Sequence, residues 1–328
     1  MTLGDMNSTA RAPGPQRAFV DAPLIAPTVQ QRWDVPHATW FTLMGLGGGV
    51  FLLARLGGLA PRLGLWLGLP VVDLVSFLAI AVGGLILIAD LGRPLRFIRA
   101  VMRPGTSWIS RGAIADFVFL VAGGALILPG LTLGGVVPFA WLPWDPAGAG
   151  AVAKTIEVVA LASAAIVIFY AGQVLADNTA IPYWRSPAVP IQFVLSSLAT
   201  SMAIVIVMEA LQHEALGAGR FSLLLGFLAS LLVAIVWHLR TDTTAPGKKE
   251  SLDALLRGRF RGPLVVGVVI LGTVLPMLVA ALGVAVPSAR GVSAVLCLLA
   301  TLPAGFSLRL ITLRVGIFPP VRLTLGAR

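Results

Sequence analysis

Long apolar runs separated by short polar segments dominate the chain. A hydrocarbon core about 30 Å thick needs about 20 apolar residues in a helix that rises 1.5 Å per residue. Runs of this length cover residues 38–57, 70–90, 112–133, 151–172, 188–211, 220–239, 263–285 and 290–312. The pattern therefore predicts eight transmembrane helices.

These spans indicate an all-α integral membrane protein, which we expect to form two four-helix bundles. Residues 33–211 would hold the first bundle and the start of the second, and residues 212–312 the remainder of the second. Residues 1–32 are rich in Pro, Ala, Gln and Arg and lack an apolar stretch, which favours a flexible tail over a signal peptide. Residues 313–328 would form a C-terminal tail.

Composition narrows the class of protein further. Of 328 residues, 57% are hydrophobic and 12% are charged, whereas soluble domains carry roughly 25% charged residues, so a soluble enzyme is excluded. The single cysteine, Cys297, cannot supply the several thiolates of an iron–sulfur cluster. The three histidines, His37, His213 and His238, lie near span ends, which argues against haem held within a bundle. Any inorganic redox centre is therefore expected in a partner.

Basic residues are distributed unevenly between the two sides of the predicted membrane. An even number of spans puts both termini on one side, here called the terminal side, and we assign 19 of the 24 Lys and Arg residues to it. Short cytoplasmic loops are enriched in Lys and Arg, so the terminal side is predicted to be cytoplasmic. The net charge of +10 is then explained by membrane orientation, by contact with lipid headgroups or by binding of a protein partner, rather than by binding of nucleic acid. A cationic docking surface for another subunit would produce the same bias.

Polar side chains lie at three span ends on the terminal side. His37 opens the first span one helical turn before Trp40, so the two side chains share a face. Asp90 ends the second span, and Tyr170 lies near the end of the fourth, with a phenol that can donate to a carbonyl. If these helices are neighbours, the side chains frame a small-ligand pocket with an apolar floor and a polar rim.

Arginines follow Asp90 directly, at Arg93 and Arg96. They would adjust the proton affinity of Asp90 and stabilise negative charge on a ligand. Structural alternatives remain for each group: an aromatic belt at the membrane interface for Trp40 and Tyr170, and a capping salt bridge for Asp90. The convergence of several such groups at one depth favours a binding site.

Further polar positions occur inside the spans. The glycines of residues 45–49 favour close helix packing rather than a phosphate-binding loop, because they lie inside an apolar run. Asp116 is an auxiliary member of the proposed site or a partner for the arginines. Asp73, Glu157 and Glu209 lie near the opposite side, where they would form a proton route or, for Glu157 with Lys154, a helix-surface ion pair.

Several of these pieces together resemble the membrane subunits of the polysulfide reductase type, also called NrfD-like. The resemblance covers about residues 33–200. Its pieces are the glycine-containing stretch 40–54, the Asp-Leu-Gly-Arg-Pro-Leu-Arg-Phe element at 90–97, Thr-Ser-Trp-Ile-Ser-Arg-Gly-Ala at 106–113, Tyr-Ala-Gly at 170–172, and Ile-Pro-Tyr-Trp-Arg-Ser-Pro at 181–187. The element beginning at Asp90 is the most specific of them.

This resemblance implies a subunit of a bacterial respiratory complex in the inner membrane. Such a subunit exchanges electrons between a quinone, ubiquinone or menaquinone, in its first bundle and an iron–sulfur subunit that serves a catalytic molybdopterin subunit. The family's quinone-site positions fall on His37, Asp90 and Tyr170, with Trp40 beside them. Some relatives carry an amide at the position of His37 and a histidine at that of Trp40. By analogy with polysulfide reductase, the terminal side would face the periplasm, whereas the charge bias favours the cytoplasm.

Rival functions from other classes are a multi-pass transporter or proton channel and a purely structural anchor. A transporter would place its site near the bilayer midplane, within broken helices. Here the polar residues gather at one face, which favours the redox subunit. No catalysis is expected from the chain alone.

Overall fold

The computed structural model describes residues 25–90, 101–145, 149–213, 215–241, 245 and 247–321. Within these ranges the protein is helical apart from short strand pairs and loops, so the predicted all-α class is confirmed. In this part of the chain, eight helices are long and apolar enough to cross a membrane. The chain is a multi-pass integral membrane protein.

The spanning helices lie close to their predicted positions. We number the helices α1 to α9 in chain order, where α7 is a short helix between the sixth and seventh spans. Their bounds are Val35–Leu56 (α1), Val71–Asp90 (α2), Trp108–Ile127 (α3), Ala151–Ala176 (α4), Ala188–Leu211 (α5), Ala218–Arg240 (α6), Lys248–Leu256 (α7), Pro263–Ala285 (α8) and Arg290–Arg314 (α9). Residues 263–274 of α8 are wound as a π-helix, and the Thr273 hydroxyl donates to the carbonyl of Val268, five residues earlier.

Helix contacts define two sets of spans. Helices α1 to α4 pack on one another, and α5, α6, α8 and α9 do the same. Helix α1 also packs against α5 and α9 of the second set, and α4 packs against α5. The division into two separate four-helix bundles therefore stays a prediction.

The glycine run of α1 explains how one helix contacts so many others. A Cβ at Gly45 or Gly49 would meet the hydroxyl of Ser197 or Ser201 on α5 at 2.1 or 2.4 Å. On other faces of α1, a Cβ at Gly47 would lie 2.8 Å from the carbonyl oxygen of Ser76 on α2. Small residues permit such close approach of helices in membranes, and the packing interpretation of these glycines agrees with these distances.

The described parts of the two predicted tails pair with each other on the terminal side. Strand β1 (Thr28–Val29) runs antiparallel to β4 (Ile317–Phe318). The Gln30 side chain donates to the carbonyl of Leu313, and Arg314 contacts Asp34 at 2.6 Å. The hydrogen bond from Arg314 holds the pKa of the Asp34 carboxyl below its ordinary value. Hydropathy does not signal this pairing, because strands of two residues carry no periodicity.

On the opposite side, two loops interlock. Strands β2 (Leu65–Trp66) and β3 (Leu69–Pro70) form a small hairpin. The Thr132 amide, in the loop after α3, donates to the Leu67 carbonyl, and the Gly68 backbone lies against the Gly130 carbonyl. These contacts join the first two loops on that side.

Candidate functional site

The first polar pair lies where α1 begins and α2 reaches Asp90. Pro36 occupies the first turn of α1, where its missing N–H costs no hydrogen bond. His37 follows, and its Nε2 lies 3.2 Å from Oδ2 of Asp90. Trp33, one turn earlier, packs on the imidazole with 4.7 Å between ring centroids. Two of the side chains predicted to share a site are thus in direct contact.

The second polar pair lies deeper among the same helices. Tyr170 of α4 is fully buried, and its hydroxyl donates to Oδ2 of Asp116 on α3 over 3.0 Å. Gly112, one turn before Asp116, leaves the space that the phenol ring fills, because a Cβ there would lie 2.2 Å from the ring. Of the two roles that the sequence left open for Asp116, the structure favours membership of the site. Arg111 instead donates to the carbonyls of Pro104 and Gly105.

Trp40 connects the two pairs. It lies one turn after His37 on α1, and its ring stacks on Tyr170 with centroids 6.0 Å apart. We call the five residues His37, Trp40, Asp90, Asp116 and Tyr170 the terminal cluster. The imidazole and the carboxylate at its outer end are partly exposed, whereas Trp40 and Tyr170 are enclosed.

The terminal cluster contains buried polar atoms that no atom of the described residues satisfies. They are Nδ1 of His37, Nε1 of Trp40 and Oδ1 of Asp116. Buried polar groups are nearly always hydrogen-bonded, and an unsatisfied one costs about 1–3 kcal/mol. Their concentration in one cluster is the arrangement expected when a polar ligand supplies the missing partners.

A cavity of about 250 Å³ lies one helical turn outward from the cluster. Its lining includes Trp33 at the start of α1, Trp108 and Ile109 at the start of α3, and Val174 near the end of α4. None of its lining residues belongs to the terminal cluster, but Trp33 packs on His37 and Val174 follows Tyr170 by four residues, so the cavity lies beside the terminal end of the cluster. It is large enough for a small aromatic ring.

Two predicted site residues lie outside the described residues. These are Arg93 and Arg96, which follow Asp90. Their predicted action on Asp90 therefore stays a prediction, as does the joint contact of His37, Asp90 and Tyr170 with one ligand.

The acids near the opposite side form ion pairs. Arg55 of α1 binds the carboxylate of Asp73 on α2 and lies 3.8 Å from Glu157 on α4. Lys154 contacts the second oxygen of Glu157 at 2.6 Å. We call these four residues the ion network. Glu209, the third acid predicted on this side, binds Arg220 of α6.

One buried charge of the described chain was not predicted from the sequence. Arg309 counted among the basic residues of the terminal side, but the structure buries it in α9 with 2% of its surface exposed. It donates to the hydroxyls of Ser196 and Ser197 and to the carbonyls of Phe193 and Gly305. Its position five residues before the end of an apolar helix was the available signal, since a charge inside a span is costly.

The fold and this arrangement define a multi-pass membrane protein with a polar cluster at one end of its first helix set. The sequence model of the NrfD family, described as polysulphide reductase, matches residues 25–320, which is nearly the whole described chain. The chain therefore belongs to the NrfD polysulphide reductase family. Comparison with curated proteins gives no match.

Family membership fixes the coarse role. The family comprises membrane subunits of respiratory oxidoreductase complexes, whose members generally assemble with iron–sulfur and molybdoenzyme subunits. The match also extends past residue 200, where the sequence motifs ended, to the last helix.

Proposed function

We propose that this chain is the quinone-reactive subunit of its complex, with the terminal cluster as the quinone site. The observation that carries the proposal is the pair of buried nitrogens, Nδ1 of His37 and Nε1 of Trp40, that have no hydrogen-bond partner among the described residues. Nε1 of Trp40 donates a hydrogen bond, and Nδ1 of His37 accepts one in the neutral imidazole and donates one in the protonated ring. The indole of Trp40 and the ring of Tyr170, which stacks on it, suit a flat ligand. A quinone has this chemistry, since its ring is flat and apolar and carries two carbonyl acceptors.

A bound quinone would supply two-electron, two-proton redox chemistry. The protein residues bind and orient the ring and exchange its protons. His37 and Tyr170 form hydrogen bonds with the two ring oxygens, Trp40 donates a further hydrogen bond to the ring, and Asp90 receives protons through His37, which it contacts. Apolar side chains around Tyr170 exclude water, which strengthens these hydrogen bonds.

Electrons would pass to an iron–sulfur cluster of a peripheral subunit docked on the terminal side, which in turn serves a catalytic molybdopterin subunit. Support comes from exposed basic residues on the described terminal-side loops, namely Arg103, Lys249, Arg257, Arg259 and Arg261. A cationic surface of this kind attracts an acidic partner surface. The charge bias favours a cytoplasmic location of this face at the bacterial inner membrane.

Equilibrium binding tests the proposal directly. A short-chain ubiquinone or menaquinone analogue is titrated calorimetrically into the detergent-solubilised complex. Binding is expected, and Trp40→Phe should weaken it about five- to tenfold, because one hydrogen bond to the ring is lost while the aromatic surface stays. Trp237→Phe, on the exposed face of α6 in the other helix set, is the matched control and should bind normally.

The outcome separates the rivals. Absence of analogue binding, with the complex intact, leaves the structural anchor as the explanation and overturns the quinone proposal. Solute or proton flux in vesicles that is independent of quinone identifies a transporter or channel. Equal affinity of Trp40→Phe and the unmodified protein removes the terminal cluster as the site.

A further inference from the structure

Two side chains of the terminal cluster, His37 and Tyr170, each contact a carboxylate. The Asp90 carboxylate lies 3.2 Å from the His37 imidazole on the terminal side, and the Asp116 carboxylate accepts the Tyr170 hydroxyl at 3.0 Å deeper inside. The quinone-site positions implied by family resemblance include Asp90 and Tyr170 but not Asp116. The second carboxylate therefore needs its own explanation.

Asp116 is not held by a cation among the described residues. It has 7% of its surface exposed, it bonds to Tyr170, and its second oxygen has no hydrogen-bond partner there. The cation nearest to it along α3, Arg111, donates to loop carbonyls and packs over the ring of Trp108. A purely structural hydrogen bond to Tyr170 would be cheaper with an amide, because a carboxylate loses more solvation energy when buried.

The two pairs lie at different depths. His37 is the third residue of α1 and Asp90 is the last described residue of α2, so their pair lies at the membrane end of the helices. Tyr170 lies six residues before the end of α4, and Asp116 lies eight residues after the start of α3, which is one to two turns further inside. Trp40 lies one turn inside His37 on α1 and stacks on Tyr170. The two pairs are thus separated along the helices. Two groups that act on the oxygens at opposite ends of one quinone ring must be separated in this way.

We propose that Asp116 is a positioning residue that takes up the proton of Tyr170, so that the site has one proton-accepting pair for each hydroxyl of a quinol. The inference rests on the quinone function proposed above. When a quinol is oxidised, two O–H bonds break and two electrons leave, one after the other, to the iron–sulfur subunit of the complex. His37 accepts one proton, with Asp90 balancing its charge. Tyr170 accepts the other on its oxygen while its own proton passes to Asp116.

This division keeps the phenol neutral throughout. Without Asp116, Tyr170 would have to hold a second proton on its oxygen, which is strongly unfavourable for a phenol. The acceptor of the displaced proton must therefore be a base already bonded to the hydroxyl. The other titratable groups of the cluster, His37 and Asp90, are paired with each other at the shallower level. Quinone reduction would use the same transfers in reverse.

The test uses the intact complex, purified through this chain with its native subunits. Quinol oxidation is followed with a dye that accepts electrons from the iron–sulfur subunit. Asp116→Asn keeps the shape and a hydrogen-bond acceptor for Tyr170 but removes the base, so the maximal rate should fall at least about 100-fold. Affinity for a non-reacting quinone analogue should change less than about threefold. Asp116→Glu should recover part of the rate.

Solvent deuterium and pH supply readouts that a structural role would not move. In Asp116→Asn, proton transfer from the quinol should become rate-limiting, so the solvent isotope effect should rise and the rate should increase with pH over the measured range. Glu157→Gln, which alters a buried carboxylate in the ion network of the same helix set, is the matched control. It should leave the isotope effect and the pH profile unchanged.

The outcomes separate this inference from the proposed function. If the unmodified complex binds no quinone analogue, the quinone function fails and the relay fails with it. If the analogue binds and Asp116→Asn retains the normal rate, isotope effect and pH profile, the quinone function stands and the relay is wrong. If Asp116→Asn unfolds or fails to assemble, Tyr170→Phe, which removes the proton-carrying hydroxyl, must show the same kinetic change, and normal kinetics in that variant overturn the relay.

Discussion

The two polar clusters of the first helix set make an instructive comparison. Both draw side chains from α1, α2 and α4, and both contain carboxylates in a largely apolar environment. In the ion network, Arg55 and Lys154 face the carboxylates of Asp73 and Glu157. In the terminal cluster, buried atoms of His37, Trp40 and Asp116 have no partner among the described residues.

This contrast distinguishes a cluster that stabilises the fold from a cluster that binds a ligand. Opposite charges that satisfy one another hold three helices together and need nothing else. Unsatisfied donors and acceptors cost stability in the absence of a ligand and are retained where a ligand completes them. The terminal cluster is therefore the better candidate for chemistry, and the ion network is the better candidate for holding the helices in place.

Removal of Arg55 should have the largest effect on stability. Arg55→Met leaves Asp73 and Glu157 buried and close together, so stability should fall by about 3–5 kcal/mol. Thermal unfolding and folded yield in detergent measure the loss. The triple variant Arg55→Met, Asp73→Leu, Glu157→Met removes all three charges and should recover most of it. A stable single variant would show that the ion network does not hold the helices.

Substitution of Asp90 should affect activity and leave the fold intact. Asp90→Asn should lower electron transfer to or from quinone at least about 100-fold, because the group that exchanges protons through His37 is lost. The complex should still assemble, since Asp90 is 37% exposed and does not belong to the ion network. Quinone-linked turnover and subunit composition are measured together. Normal turnover would exclude Asp90 from the mechanism.

Substitution of a glycine of α1 by alanine tests the packing of α1 on α2, which supports both clusters. Gly47→Ala places a Cβ against the backbone carbonyl of Ser76 on α2, which cannot turn away, so stability should fall by about 1–3 kcal/mol. Gly226→Ala on α6 is the matched control, because a Cβ there meets no atom of the described residues within 4 Å. Equal unfolding temperatures for the two variants would contradict the close approach of α1 and α2.

Acid should produce the smallest effect, at the pairing of the two terminal segments. The pKa of Asp34 is lowered by Arg314, so this carboxylate stabilises the fold above its ordinary pKa, and the contribution is lost as pH falls through the lowered value. Amide exchange of residues 25–34, measured relative to the intrinsic amide rate at each pH, should therefore speed up at low pH. In Asp34→Asn it should already be faster at neutral pH, and an unchanged rate there would show that the ion pair contributes nothing.

Much of the fold could be predicted from hydropathy. Apolar run length locates spanning helices because the bilayer fixes it, and α5 begins and ends at the predicted residues 188 and 211. The pairing of β1 with β4 and the π-helical turns of α8 were not predictable, because they depend on tertiary contacts and produce no hydropathy period. The same limitation hid Arg309, whose partners come from α5.

The individual residues of the candidate site were easier to predict from the sequence than the contacts between them. Span ends identified His37, Asp90 and Tyr170, and helix spacing identified Trp40. The sequence could not decide that Asp116 contacts Tyr170, since they are 54 residues apart and on different helices. Glycine at position 112 was the available signal, because it leaves space for a ring beside α3.

The glycines of α1 also bear on how the protein is made. This helix is synthesised before the other described spans, yet side chains of α5 pack against its glycines, and Arg309 of α9 lies close to Gly45. During insertion the glycine-containing surfaces of α1 face lipid or the insertion machinery until the later helices are inserted. Helix α1 thus enters the membrane before the other described spans, and its surface is completed only when α9 has been inserted.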